Sequence, residues 1–234
     1  EQALIVGAIV RDPGKQRPAR TPPLLHTVDE LLALKPEVVL EAGGHDALES
    51  FGPEVLRGGC DLLIASAGAL AKPGLLEDIV SAAEQGHAHA RIVSGAIGAL
   101  DAISAAAIGG LTRVTHTTRK PPRGLYPPDE AAKITKAVEI FRGPAREAAL
   151  RFPENVNVCA AVSLAGIGLD RTEMRIIADP NVDRNQHEVE AEGEFGQLRF
   201  EIRNIPTEKP ATGRIVAMSL FKELMARRAP FSVG

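Results

Sequence analysis

Chemistry near neutral pH needs a group that gains and loses a proton there, and histidine does so unaided. The sequence holds six: His26, His45, His87, His89, His116 and His187. His187 stands in ADPNVDRNQHEVE, where Asp179, Asn181, Asp183, Arg184 and Asn185 lead into it and an alternating strand pattern leads out. That places an imidazole at the rim of a strand with polar neighbours to orient it, the setting a general base needs. His45 follows Gly43–Gly44 at the carboxyl end of an apolar run, where open α/β sheets hold ligands. His26, His87 and His89 fall in loop-like or helix-end contexts and read as surface. His116 alternates with Val114 along a strand and reads as structural.

Three other groupings carry chemical potential. NVNV at 155–158 heads an apolar helix, so Asn155 or Asn157 either caps it or offers an amide to a ligand. In TRKPP, adjacent Arg119 and Lys120 point to opposite faces of a strand, so one of them can meet an anionic substrate while the other serves solubility. In RDPGKQRPAR, Asp12 sits beside Arg11, Lys15 and Arg17, following the short apolar run ALIVGAIV. Two cysteines, Cys60 and Cys159, lie in separate apolar runs and read as buried free thiols of a reducing, cytoplasmic compartment. No metal is expected, since no zinc or calcium ligand spacing is present.

The elements that position these groups follow from the hydrophobic pattern. PEVVLEAG, CDLLIASAG and ARIVSG are near-continuous apolar strands, separated by the amphipathic stretches HDALESFGPEVLRGG and LLEDIVSAAEQG. That grammar implies parallel β/α units of a Rossmann-like, doubly wound sheet. TVDELLAL reads as a short helix, with Thr27 and Glu30 spaced as a capping box. From Leu111 the pattern changes. RVTHTTRK, EMRIIADP, HEVEAEGEFG and QLRFEIRN read as strands, the last two joined by a Phe-Gly turn. GPAREAALRFP and NVNVCAAVSLAGIGLD read as helices. The expected division is a dinucleotide-binding domain over 1–107, with 211–234 packing back on it, and an α+β domain with a mixed or antiparallel sheet over 108–210.

Composition excludes several classes. Twenty-seven Lys and Arg against 30 Asp and Glu give a net charge of −3, unlike the basic surface that nucleic acid or anionic membrane selects. Aromatic residues are 3% of the chain with no Trp, which argues against a stacking platform for bases or sugars. No stretch reaches the ~18 apolar residues of a membrane span.

Three long blocks carry a resemblance. VSGAIGALDAISAAAIGGLTRVTHTTRKPP, FRGPAREAALRFPENVNVCAAVSLAGIGLDRTEMRIIADP and NQHEVEAEGEFGQLRFEIRNIP, in that order, resemble the L-aspartate dehydrogenases. The resemblance implies NAD- or NADP-dependent oxidation of L-aspartate to iminoaspartate, which hydrolyses to oxaloacetate and ammonia and can feed pyridine-nucleotide synthesis. It also implies a homodimer or higher homo-oligomer. It matches His187 to the family's active-site histidine, and Ala96, beside Gly95 in SGAIG, and Asn157 to its nucleotide contacts. Arg119 and Lys120 are then the candidates for the substrate carboxylates. The family's first strand and Gly-x-Gly-x-x-Gly turn have no counterpart, so ALIVGAIV is expected to be the second strand after a β/α unit of roughly 25–30 residues. KPATGR also departs from the family's closing block. A homoserine dehydrogenase-like amino-acid or polyol dehydrogenase is the alternative activity. A catalytically silent oligomerising partner is the alternative class.

Overall fold

The computed structural model describes residues 4–17, 22–152, 156–205 and 213–233. The chain divides into two compact units, residues 1–93 with 223–232 and residues 94–222 with 233–234.

The first unit is built of parallel β/α units, as the apolar runs require. Strands β1 (Ala8–Ile9) and β2 (Leu24–Leu25) pair in parallel as a two-stranded ribbon. Helix α1 (Val28–Ala33) starts at Thr27, whose hydroxyl accepts the Glu30 N–H at 3.2 Å. The Glu30 carboxylate reaches back to the His26 N–H at 2.7 Å, a capping box displaced by one residue. Strands β3 (Val38–Glu41), β4 (Asp61–Ile64) and β5 (Ala90–Ile92) form a parallel sheet in that order. Helix α2 (His45–Arg57) crosses from β3 to β4, and α3 (Leu75–Gly86) from β4 to β5. Both are amphipathic and bury Leu48, Val55, Leu56 and Ile79. They touch at Gly86, where a Cβ would stand 1.8 Å from the Leu56 carbonyl oxygen.

The second unit is a five-stranded mixed sheet with helices. Helix α4 (Leu100–Ile108) leads into the long strand β6 (Leu111–Lys120). After α5 (Pro128–Ala131) come β7 (Val138–Pro144), α6 (Ala145–Arg151), α7 (Asn157–Ala165) and β8 (Glu173–Ala178). The hairpin β9 (Gln186–Gly193) and β10 (Gly196–Arg203) follows, and then α8 (Ile215–Ala226). The strand order is β10-β9-β6-β8-β7, antiparallel except for the parallel β6–β8 pair. One sheet face carries Val114, Val189 and Ala191, which pack with Ile103 and Ala106 of α4 and Val158 and Val162 of α7. The opposite face is charged, with Arg199 on Glu188 and Arg175 on Glu139, each at 2.6 Å.

Several local readings change. The break between units falls at Val93 rather than at 107, because α4 buries its apolar side in the sheet's own core. Strand β7 was not legible as a strand in the sequence. The hairpin turn is Glu194–Phe195, with Gly196 at φ +112° opening β10, so Phe-Gly is not the turn pair. Helix α8 crosses the division, its last residues belonging to the first unit. Among the described residues no helix is long and apolar enough to cross a membrane.

Candidate functional site

Alternation along β6 places His116, Thr118 and Lys120 on one face, level with the apolar core at Val114. Register then brings His187 of β9 opposite Thr118. The apolar stripe thus ends in a cluster of four polar side chains, all buried in the sheet, with His116 and Thr118 at 0% exposure and Lys120 and His187 at 5%. His187 Nδ1 lies 3.3 Å from His116 Nε2 and 3.2 Å from Thr118 Oγ1. The two imidazoles meet edge to edge, their planes inclined by 25° and their centroids 5.4 Å apart. Thr118 Oγ1 also reaches the Gln186 carbonyl at 3.5 Å.

The electrostatics of this cluster favour neutral rings. Burial, and then the Lys120 ammonium, push His116 down to about 3. Burial, His116 and Lys120 likewise push His187 well below the ordinary imidazole range. At neutral pH His187 is therefore uncharged, so it can take up a proton but has none to spare as an imidazolium.

The other candidates fall in place around the same core. Gly95 and Ala96 form a turn, Gly95 at φ +61°, a left-handed conformation that favours glycine. The turn is held from both sides. The Gly95 N–H donates to Ser219 Oγ at 3.1 Å, and Asn204 Nδ2 donates to the Ala96 carbonyl at 2.9 Å. Ala96 packs on the core that includes Val158, the neighbour of Asn157, and Ile202, the register partner of His187. Asn157 is the first residue of α7 and exposed. Val156 is the cap residue, so Asn157 does not cap the helix. Asn155 lies outside the described residues. Arg119 sits on the opposite sheet face from His187 and pairs with Asp179 at 2.7 Å. Asp179 in turn accepts the Asn181 N–H at 2.9 Å. The anionic partner foreseen for Arg119 is thus a side chain of this protein.

In the first unit, Glu41 ends β3 as a buried carboxylate. Its Oε1 accepts the Gly44 N–H and the Ser66 hydroxyl, and its Oε2 the Ser66 N–H, each at 2.9 Å. The loops after β3 and β4 are thereby tied together at the carboxyl ends of the strands. Gly44, at φ +101°, has nothing within 4 Å of where a Cβ would stand, and His45 begins α2 beside it. His87 caps α3 in a left-handed conformation, and His89 is an exposed partner of Asp61. Both cysteines are buried and free; burial pushes the Cys159 thiol up to about 12, which removes it as a nucleophile. Among the described residues no cluster of His, Cys, Asp or Glu could hold a metal ion.

A nicotinamide dinucleotide fits what these residues offer. The Gly95–Ala96 turn carries little side-chain bulk, and Asn204 and Ser219 hydrogen-bond to its backbone. Asn157 supplies an exposed amide at a helix start. Neither Asn204 nor Glu41 is legible in the sequence, since Ala96 lies 108 residues from the first and Ser66 lies 25 residues from the second. His116 and Thr118 do carry a signal, the period-two run from Val114 to Lys120, but that run by itself implies only a strand.

Comparison with known proteins finds matches over both units. Residues 101–227 match the family model "Aspartate dehydrogenase, C-terminal", and residues 2–92 match "Homoserine dehydrogenase, NAD binding domain". The chain is 42% identical over 205 residues to an L-aspartate dehydrogenase of Ralstonia nicotianae, covering 85% of this chain and 76% of that protein. It is 40% identical over 223 residues to one of Methanosarcina barkeri, covering 92% and 82%. The crystal structure of aspartate dehydrogenase from Thermotoga maritima superposes with a TM-score of 0.81 at 24% identity, covering 97% of this chain and 88% of that one, and so shares the fold. From its first β/α units through the histidine-bearing hairpin, the chain belongs to the L-aspartate dehydrogenase family.

Proposed function

We propose that the chain oxidises L-aspartate to iminoaspartate with NAD or NADP, His187 acting as the base. The observation that carries this is the neutral, buried His187 on the same sheet face as the Lys120 ammonium. The nicotinamide, when bound, accepts the hydride from Cα of the substrate. Gly95, Ala96 and Asn157 would hold it. Before that transfer the substrate ammonium must lose a proton, so that the nitrogen lone pair can form the C=N bond. His187 Nε2 takes that proton and passes it to bulk water; bare again, the same atom takes a proton from the water that adds to the imine carbon and returns it to the nitrogen, which leaves as ammonia. Lys120 would bind a substrate carboxylate. Arg119, turned to the other face, would act on the site only by bracing Asp179 and the loop that leads to His187.

We also infer a homo-oligomer and a cytoplasmic setting. The charged, half-exposed face of the five-stranded sheet supports the first reading, and the two buried free thiols support the second. Sedimentation of the purified chain tests the oligomer. The activity test follows formation of the reduced nicotinamide with L-aspartate, NAD and NADP being tried separately and L-homoserine serving as the control. Turnover with aspartate alone is expected. Turnover with homoserine alone would overturn the substrate assignment.

A further inference from the structure

His116 is fully buried beside His187, and it is an expensive choice for its place. Among the described residues, its Nδ1 is one of two buried side-chain polar atoms that lack any hydrogen-bond partner. A Leu there would fill the interior and leave no polar atom stranded. Orphaned buried groups of this kind are rare and call for an explanation. The explanation lies at the other end of the ring, where Nε2 meets His187 Nδ1 at 3.3 Å.

We propose that His116 is a positioning residue: its Nε2 accepts the hydrogen carried by His187 Nδ1, which leaves His187 Nε2 bare to act as the base. This rests on the reading of His187 as the base. Both rings are neutral, so each carries one N–H, and facing nitrogens 3.3 Å apart need one hydrogen between them, since two lone pairs would repel. Suppose His116 supplied it. His187 Nδ1 would then be a bare lone pair, and the Thr118 hydroxyl 3.2 Å away would either compete for it or face it lone pair to lone pair. Suppose instead that His187 supplies it. One hydrogen then serves two acceptors, at 3.2 and 3.3 Å, and the Thr118 hydroxyl donates to the Gln186 carbonyl at 3.5 Å. Only the second arrangement uses all three contacts. It places the stranded N–H on His116 Nδ1, the atom that has no partner.

The test is nitrogen-15 NMR of the histidine rings in the full chain at neutral pH without substrate, with His187→Ala used to assign the signals. In the unsubstituted chain His187 is expected to carry its proton on Nδ1. In His116→Leu that preference should be lost. In His116→Gln, whose amide oxygen can accept the same hydrogen, it should return. Turnover should follow the tautomer. In His116→Leu, kcat is expected to fall about 10- to 100-fold with the KM for aspartate within about twofold, and the Gln variant should recover most of it. A proton on His187 Nε2 in the unsubstituted chain would overturn the proposal, and so would an unchanged tautomer in a folded Leu variant. Should the Leu variant not fold, the spectrum of the unsubstituted chain decides. Absence of aspartate turnover in the unsubstituted chain would instead overturn the base assignment, and the ring spectra would still judge His116.

Discussion

His187 touches His116 and Thr118 and shares a sheet face with Lys120, and substitutions at and around it leave separate experimental traces. Replacing His187 with Ala should lower kcat by about 10²–10⁴-fold while the dinucleotide Kd stays within about twofold, by single-turnover kinetics and fluorescence titration. A matching loss of dinucleotide binding would make the residue structural instead. Lys120→Met should act on the other parameter, raising the KM for aspartate by about 10- to 100-fold, because a carboxylate loses a charge-assisted bond. Arg119→Ala should leave that KM close to unchanged, its guanidinium being committed to Asp179 across the sheet. At this scale the sequence marks His187 by the polar loop that leads into it, while the side chains that hold its ring, His116 and Thr118, come from another strand. The choice between Arg119 and Lys120 was not legible, because alternation says that the two diverge but not which face is buried. His116 was read as structural for a related reason. A strand pattern shows which side chains share a face and cannot show that two imidazoles from different strands touch.

The elements were more legible than their joints. Apolar runs marked β3, β4 and β5, and the capping box marked α1, since these signals are local. Strand β7 escaped because its apolar content is brief, with Val138 exposed and only Phe141 deeply buried. It becomes a strand by pairing with β8, which lies far along the chain. Two positions show how much the elements depend on such distant partners. Glu41→Ala would leave three donors on the β3 and β4 loops without their acceptor, at a cost on the order of 3 kcal/mol in denaturant unfolding. Gly86→Ala should be worse tolerated than an ordinary helix Gly→Ala exchange, which is often stabilising. Its Cβ would meet backbone at Leu56 O, which no rotamer change relieves, so a soluble chain is expected to lose at least 2 kcal/mol. A neutral effect in either melt would show that the loop or helix ends relax freely.

At the scale of the whole molecule, the two units carry unequal sensitivity to acid. His116 and His187 both lie in the second unit and both bind protons less readily when folded than the ~6.5 of a free imidazole. The unfolded chain therefore takes up the protons first as pH falls. Stability from these rings is fully present above about pH 6.5 and is lost as pH falls below it, for His116 down toward 3 at about 1.4 kcal/mol per pH unit. Denaturant melts at pH 7 and pH 5 should show the second unit weakening, and His116→Leu should flatten that dependence. The first unit has a different peculiarity, being made of two stretches of chain, 1–93 and 223–232. Its closing stretch brings Arg227 to Asp61 at 2.5 Å and Glu223 to Arg91 at 2.9 Å. During translation those partners emerge only after all of 94–222 has been made. Asp61 and Arg91 must then wait on the ribosome while the whole histidine-bearing unit is synthesised, so the unit begun first is the one finished last.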